Sequence, residues 1–201
     1  IIFVSPLGLR YLCLPKYMSM KFTEQKLKRV FVIEPQVFGD SRGYFMESYK
    51  KELFEKYIGA VDFIQDNESR SSYGVVRGLH FQKGEWSQSK LVRVTQGRVY
   101  DVVVDLRRTS PTFGQYVGIE LSDENKKQLF VPRGFAHGFA VLSETAQFCY
   151  KVDNVYAPHE EVTLFYNDPH VAVQWPIKAE DMLLSEKDKK GLGFEEIEVF
   201  E

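Results

Sequence analysis

Phe130-Val131-Pro132-Arg133-Gly134-Phe135-Ala136-His137-Gly138-Phe139 sets two apolar runs on either side of a Pro-x-Gly step. Proline holds φ near −65° and glycine accepts a left-handed φ, so the step makes a sharp turn between two extended segments. His137 then sits on the second segment, either as a buried, hydrogen-bonded imidazole or as a group aimed into a site. The same grammar recurs on both sides of this stretch. Short apolar or alternating runs at 30–33, 63–65, 75–81, 90–96, 98–105, 116–121, 127–131, 136–143, 146–152 and 162–166 read as strands. Turn chemistry separates them, as in Phe38-Gly39-Asp40-Ser41-Arg42-Gly43, and Gln96-Gly97 reads as a hairpin turn. Only residues 48–58, with Tyr49, Leu53, Phe54 and Tyr57 along one side, and 185–190, where Ser185 can cap, carry helical spacing. Many short strands without βαβ alternation predict an all-β fold, mainly antiparallel, closed as a sandwich or barrel with a few short peripheral helices.

The chain has 201 residues, 44% hydrophobic and 27% charged, with a formal net charge of −2. That length suits one domain with a real core, and the charge supplies no basic field for nucleic acid. The two cysteines, Cys13 and Cys149, form no CxxC pair. Their scarcity leans toward a reducing compartment, and Cys149 between Phe148 and Tyr150 reads as a small buried hydrophobe. Residues 1–20 mix apolar residues with Pro6, Gly8, Arg10, Pro15 and Lys16, which fits neither a signal peptide nor a membrane span. Met20-Lys21-Phe22 looks like a translation start. Residues 1–20 are therefore expected to be an extension without function, and 21–201 a single domain in the cytoplasm.

Arg77-Gly78-Leu79-His80-Phe81-Gln82 carries the strongest chemical signal, with Lys90 ten residues beyond the histidine. A neutral imidazole beside fixed cations is what proton removal next to a carbonyl requires: one group takes the proton, the others hold the oxyanion. Asp101, between Tyr100 and Val102, has apolar flanks and is placed to orient a histidine or a cation. His159 and His170 lie in polar, loop-like stretches and read as solvated.

The Pro132-x-Gly134-x-x-His137 run resembles the second block of the cupin superfamily, a jelly-roll barrel whose metal-binding members carry a His-x-His pair in the first block. Here His80 is followed by Phe81 and Gln82, so that pair is missing and no metal is expected. The resemblance narrows when ordered segments are taken together: 38–43, Gln65-Asp66-Asn67, 77–82, 90–94, 101–107, 110–114, 131–139, Tyr166-Asn167-Asp168-Pro169 and Leu184-Ser185-Glu186-Lys187-Asp188. As a series, from about Phe22 to Asp188, they resemble the dTDP-4-dehydrorhamnose 3,5-epimerase family, cupin-like epimerases of nucleotide sugars. That resemblance implies His80 as general base, Asp188 as its carboxylate partner, Tyr150 as the opposing acid and Lys90 beside the sugar carbonyl. It implies Arg42, Glu47, Gln65, Asp66, Asn67, Arg77, His137, Glu161 and Lys187 as substrate-binding positions. Without it, Asp188 reads as a solvated helix charge, Tyr150 as a core aromatic, and the others as surface charges or turn amides.

The resemblance further implies dTDP-4-dehydro-6-deoxy-D-glucose as substrate, dTDP-4-dehydro-L-rhamnose as product, no cofactor, and a homodimer exchanging N-terminal strands. The apolar, β-branched run at 30–33 suits such an exchange and equally suits any core strand. Three rivals stand beside it: a relative that epimerises only C3 or C5, a noncatalytic cupin that binds a sugar nucleotide, and a metal-dependent cupin. The base, acid and lysine are shared across the epimerases, so the first rival is separated by product and not by motif.

Overall fold

A computed structural model describes residues 20–201 and, upstream, the backbone of a two-stranded ladder, β1 (Phe3–Val4) against β2 (Arg10–Tyr11). The reading of residues 1–20 as a functionless extension otherwise lies outside the described residues. Met20 is itself buried among Ile33, Phe54, Leu91 and Phe130, so the packed domain already includes it.

Two antiparallel sheets make the barrel. One runs β11 (Tyr116–Ser122), β10 (Arg98–Asp105), β13 (Phe135–Val141), β8 (Val76–Gln82), β15 (Glu161–Thr163). The other runs β3 (Lys21–Glu24), β4 (Phe31–Glu34), β12 (Gln128–Val131), β9 (Lys90–Gln96), β14 (Thr145–Val152), β7 (Gln65–Ser72). A separate hairpin pairs β5 (Val37–Asp40) with β6 (Gly43–Met46). Helices α1 (Lys51–Tyr57) and α2 (Glu186–Lys189) are peripheral. The antiparallel barrel expected from strand spacing, in the cupin-like form implied by the resemblance, is the fold the chain adopts.

From β7 to β15 the chain changes sheet at every connection except β10 to β11. The Pro132-Arg133-Gly134 turn accordingly joins β12 in one sheet to β13 in the other, with Gly134 at φ +91°. Gln96-Gly97 is also such a corner, which corrects its reading as a hairpin turn: β9 and β10 share no ladder. Two-residue hairpins and tight barrel corners ask for the same left-handed glycine, so local chemistry does not separate them. Residues 63–65 are corrected too, because β7 begins at Gln65 and continues through Asp66-Asn67-Glu68-Ser69-Arg70-Ser71-Ser72. This strand pairs with β14 along its whole length and needs no apolar alternation to form.

Three clusters explain why β12 and β13 are buried throughout. Val92, Val94, Val99, Val103, Phe139 and Phe148 fill the space between the sheets. Leu79, Val102, Val104 and Ala136 back the five-stranded sheet against Val171, Val173, Phe194 and Ile197 of the C-terminal segment. Phe54 of α1 packs with Leu91 and Phe130 on the outer face of the six-stranded sheet. With much of both sheets covered, the inner faces still leave an open space lined by Phe139 and Phe148 between them.

Candidate active site

Antiparallel pairing sets His80 of β8 directly opposite His137 of β13 and Thr163 of β15. Residues three apart on a strand face opposite ways, so Arg77 and His80 should not share a face. They do share one, because the β8–β13 register shifts: His80 opposes His137 while Arg77 opposes Phe139. That bulge sits at Gly78, where φ is +106° and an added Cβ would stand 2.6 Å from both the Gly138 Cα and the His137 carbonyl oxygen. Glycine is required at this close approach, and it turns Arg77 into the barrel mouth beside His80.

The mouth is a cavity of about 180 Å³ lined by Ser69, Arg77, His80, Lys90, His137, Gly138, Phe139, Phe148 and Tyr150. Arg77, His80 and His137 come from one sheet, Lys90 and Tyr150 from the other, so the two sheets present opposed chemistry across one space. Phe139 and Phe148 stack at 4.2 Å between centroids and form an apolar wall. This volume falls below the ~300–1,000 Å³ that drug-sized ligands occupy, so the cavity suits a small group.

Asp188, 3% exposed, accepts from His80 Nε2 at 2.7 Å through Oδ1. The Gly78 N–H donates to the same oxygen at 3.3 Å, and the Ser185 hydroxyl donates to Oδ2 at 2.6 Å. Burial opposes ionisation of this carboxyl, but His80, Ser185 and the Gly78 amide together hold it below the ordinary carboxylate range. An ionised Asp188 can only accept, so His80 Nε2 carries the hydrogen and Nδ1 keeps its lone pair. The helix charge of the sequence is thus a buried partner of the histidine. Ser185 caps α2 by accepting from the Asp188 N–H at 3.1 Å, as its position three residues ahead predicts.

His137 Nε2 meets both oxygens of the fully buried Asp101, at 2.9 and 3.1 Å. Burial pushes the Asp101 carboxyl up, while His137 and Lys90 pull it back. Lys90 reaches the cavity with no ion pair among the described residues, since the Glu161 carboxylate is taken by Lys187. Burial lowers the Lys90 ammonium to about 8, with Glu161 and Asp101 offsetting part of the effect. Tyr150 is pushed up by burial and by Glu161, with Arg77 acting the other way, and stays a neutral phenol at physiological pH. Glu161 also accepts from the Tyr156 hydroxyl at 2.7 Å; despite its burial, Lys187 and Tyr156 hold it low.

Gln65 and Asn67 are joined at 2.8 Å on β7, and Asn67 pairs with Tyr150, which puts it on the inner face. Asp66 does not face the barrel interior: it opposes Lys151 and bonds to it at 2.7 Å. Alternation along β7 forbids three consecutive residues from sharing one face. Arg42 and Glu47 do not line the cavity; Arg42 is exposed on the β5–β6 hairpin and paired with Asp40. Cys149 is corrected as well. It is partly exposed on the outer face, its thiol near Glu68 and Thr95, because Phe148 and Tyr150 take the inner positions. His159 and His170 are exposed, as expected. Ser69, Phe139 and Phe148 escaped sequence reading because nothing local marks a wall residue; Tyr156 carried no signal either.

A family model described as dTDP-4-dehydrorhamnose 3,5-epimerase matches residues 24–196. The protein of that name from Pseudomonas aeruginosa is 52% identical over 182 residues, covering 90% of this chain and 99% of the relative. Its counterpart in Escherichia coli is 48% identical over 179 residues, covering 89% and 96%. The solved structure of dTDP-6-deoxy-D-glucose-3,5-epimerase RmlC from Legionella pneumophila, in complex with dTDP-4-keto-L-rhamnose, aligns with a TM-score of 0.86 at 45% identity, covering 90% of this chain and 95% of that one. Matched in sequence over most of its length and in the course of its backbone, the chain belongs to the dTDP-4-dehydrorhamnose 3,5-epimerase family.

Proposed function

We propose that this protein converts dTDP-4-dehydro-6-deoxy-D-glucose to dTDP-4-dehydro-L-rhamnose, inverting C3 and C5. The observation that carries this reading is the opposition, across one small cavity, of His80 of one sheet, backed by Asp188 of α2, to Lys90 and Tyr150 of the other sheet.

The C4 ketone acidifies the hydrogens on both neighbouring carbons. His80 Nδ1 takes one, and Asp188 stabilises the imidazolium that forms. The electron pair moves onto O4, where the Lys90 ammonium meets the enolate charge in a space walled by phenyl rings. Tyr150 returns a proton from the opposite face of the ring. His80 then releases its proton to solvent and Tyr150 regains one, so the site is reset before the second carbon reacts. Both steps are redox-neutral. Arg77 and His137 are positioned to hold the polar substrate at the mouth, and Gln65, Asn67, Glu161 and Lys187 to bind it further out.

The cavity suits a small group, so the nucleotide extends beyond it. Arg42 and Glu47, implied as binding positions, belong to a hairpin region separate from their own cavity. The hairpin exposes Phe38, Tyr44 and Phe45 at 39%, 58% and 57%. A homodimer in which this hairpin reaches the neighbouring mouth accounts for both facts. Within one chain the run at 30–33 is part of β4, which pairs to β3 and β12. Among the described residues no helix is long and apolar enough to cross a membrane. A nucleotide-sugar substrate and few cysteines favour the cytoplasm.

Incubation with the 4-keto sugar nucleotide in heavy water tests the reading. Label is expected at both C3 and C5 and should be lost in His80→Asn, with the rate down by about 10²–10⁴. Label at one carbon alone would make the protein a single-site epimerase, and substantial exchange surviving in His80→Asn would remove His80 as the base.

A further inference from the structure

We infer that Ser185 is a positioning residue for proton abstraction, its hydroxyl setting both the geometry and the basicity of the His80–Asp188 pair. This rests on the epimerase reading above and deepens it. Ser185 is exposed, does not line the cavity and touches neither His80 nor any group placed on the substrate. Its Oγ does two things at once. It accepts from the Asp188 N–H at 3.1 Å, which starts α2, and it donates to Asp188 Oδ2 at 2.6 Å.

That second bond divides the work of the carboxylate. Oδ1 serves His80 and the Gly78 amide; Oδ2 has Ser185 as its one donor among the described residues. With both oxygens held, Asp188 has no rotation left about its terminal bond, and Oδ1 stays in line with the imidazole. A four-residue helix has little stability of its own, so the carboxylate cannot rely on α2 for rigidity. The outer tie of the helix is the ion pair of Lys187 with Glu161 on β15. Charged and titratable groups facing the pair are Arg77 on β8, Lys90 on β9, His137 on β13 with Asp101 beneath it, Tyr150 on β14, Glu161 on β15 and Lys187 on α2. Ser185 acts on the pair directly by a hydrogen bond, which none of those groups does.

An anion that loses a donor binds a proton more tightly. Without the Ser185 hydroxyl, the His80–Asp188 pair therefore protonates at higher pH, and less of the enzyme is in the base form. The full chain is compared with Ser185→Gly and Ser185→Thr. Glycine caps a helix nearly as well as serine but has no hydroxyl, and threonine keeps one. Two readouts are taken: the pH profile of solvent-deuterium exchange into the 4-keto sugar nucleotide, and the protonation midpoint of the His80–Asp188 pair followed by NMR without substrate. Ser185→Gly is expected to lower kcat about tenfold or more with KM unchanged, and to move the acid limb and the NMR midpoint upward. Ser185→Thr should restore both. A midpoint that stays put in folded Ser185→Gly, or a shift that threonine does not reverse, overturns the inference. If the glycine chain does not fold, Ser185→Cys, a weak donor, should give an intermediate upward shift, and an unmoved midpoint there overturns it equally. Failure of the parent chain to turn over the sugar nucleotide would sink the epimerase reading, while the NMR midpoint still decides the role of Ser185.

Discussion

Lys90 shows how burial prepares a charged group for a transient partner. Its ammonium, brought to about 8 by burial, has no ion-pair partner among the described residues, and in the proposed mechanism its partner is the enolate oxygen. Below pH 8 the group is cationic; as pH rises through 8 it loses the proton and, with it, the charge that the proposed mechanism uses. The rate should therefore fall on the alkaline side with a midpoint near 8 in a kcat profile. Lys90→Met should lower kcat by about 10²–10³ and abolish that limb. Tyr150 faces the opposite demand. Its raised phenol keeps the proton that the proposed mechanism has it deliver, and Tyr150→Phe is expected to accumulate singly epimerised sugar, visible by product NMR. Loss of substrate binding with an unchanged product distribution would instead make Tyr150 structural.

The site depends on features of the strands that no single strand contains. Arg77 and His80 share the mouth only through the bulge at Gly78, and Asp66 leaves it because β7 alternates strictly between its neighbours Gln65 and Asn67. The corners matter equally. At Gly97 φ is +77° and an added Cβ would stand 2.0 Å from the Thr145 carbonyl oxygen, backbone that cannot swing aside. Gly97→Ala should therefore destabilise the protein by more than about 1 kcal/mol, read as a lower midpoint of urea unfolding. An unchanged midpoint would mean that the β9–β10 corner relaxes without strain.

Across the whole molecule, the two sheets line opposite sides of the cavity, and the hairpin of Val37–Asp40 and Gly43–Met46 carries exposed aromatic side chains. If it docks on a second copy, sedimentation of the native protein should give a dimer. Phe45→Asp should then shift it toward monomer and lower kcat/KM by about tenfold or more, since Arg42 and Glu47 would no longer reach a neighbouring mouth. A monomer of full activity would end the dimer proposal and with it the roles of those two residues.

Strand spacing, turn glycines and few helices were sufficient in the sequence to define an antiparallel barrel, and the ordered motifs pointed to His80, Lys90, Tyr150 and Asp188. The fold signals are local, since period-two burial and a left-handed turn can be read along the chain, whereas Tyr150 and Asp188 stood out only through the family resemblance. Sequence reading misassigned the Gln96-Gly97 corner and the surroundings of Cys149, and left the face of Asp66 undetermined. Each of these depends on which strand lies alongside, and pairing partners far apart in the chain leave no local mark. Tertiary structure alone brought Asp188 to His80, 108 residues away, and set Lys90 and Tyr150 across from them. The physical reason is that a barrel's interior is made by closing its sheets on each other, and closure joins residues by register, not by sequence distance.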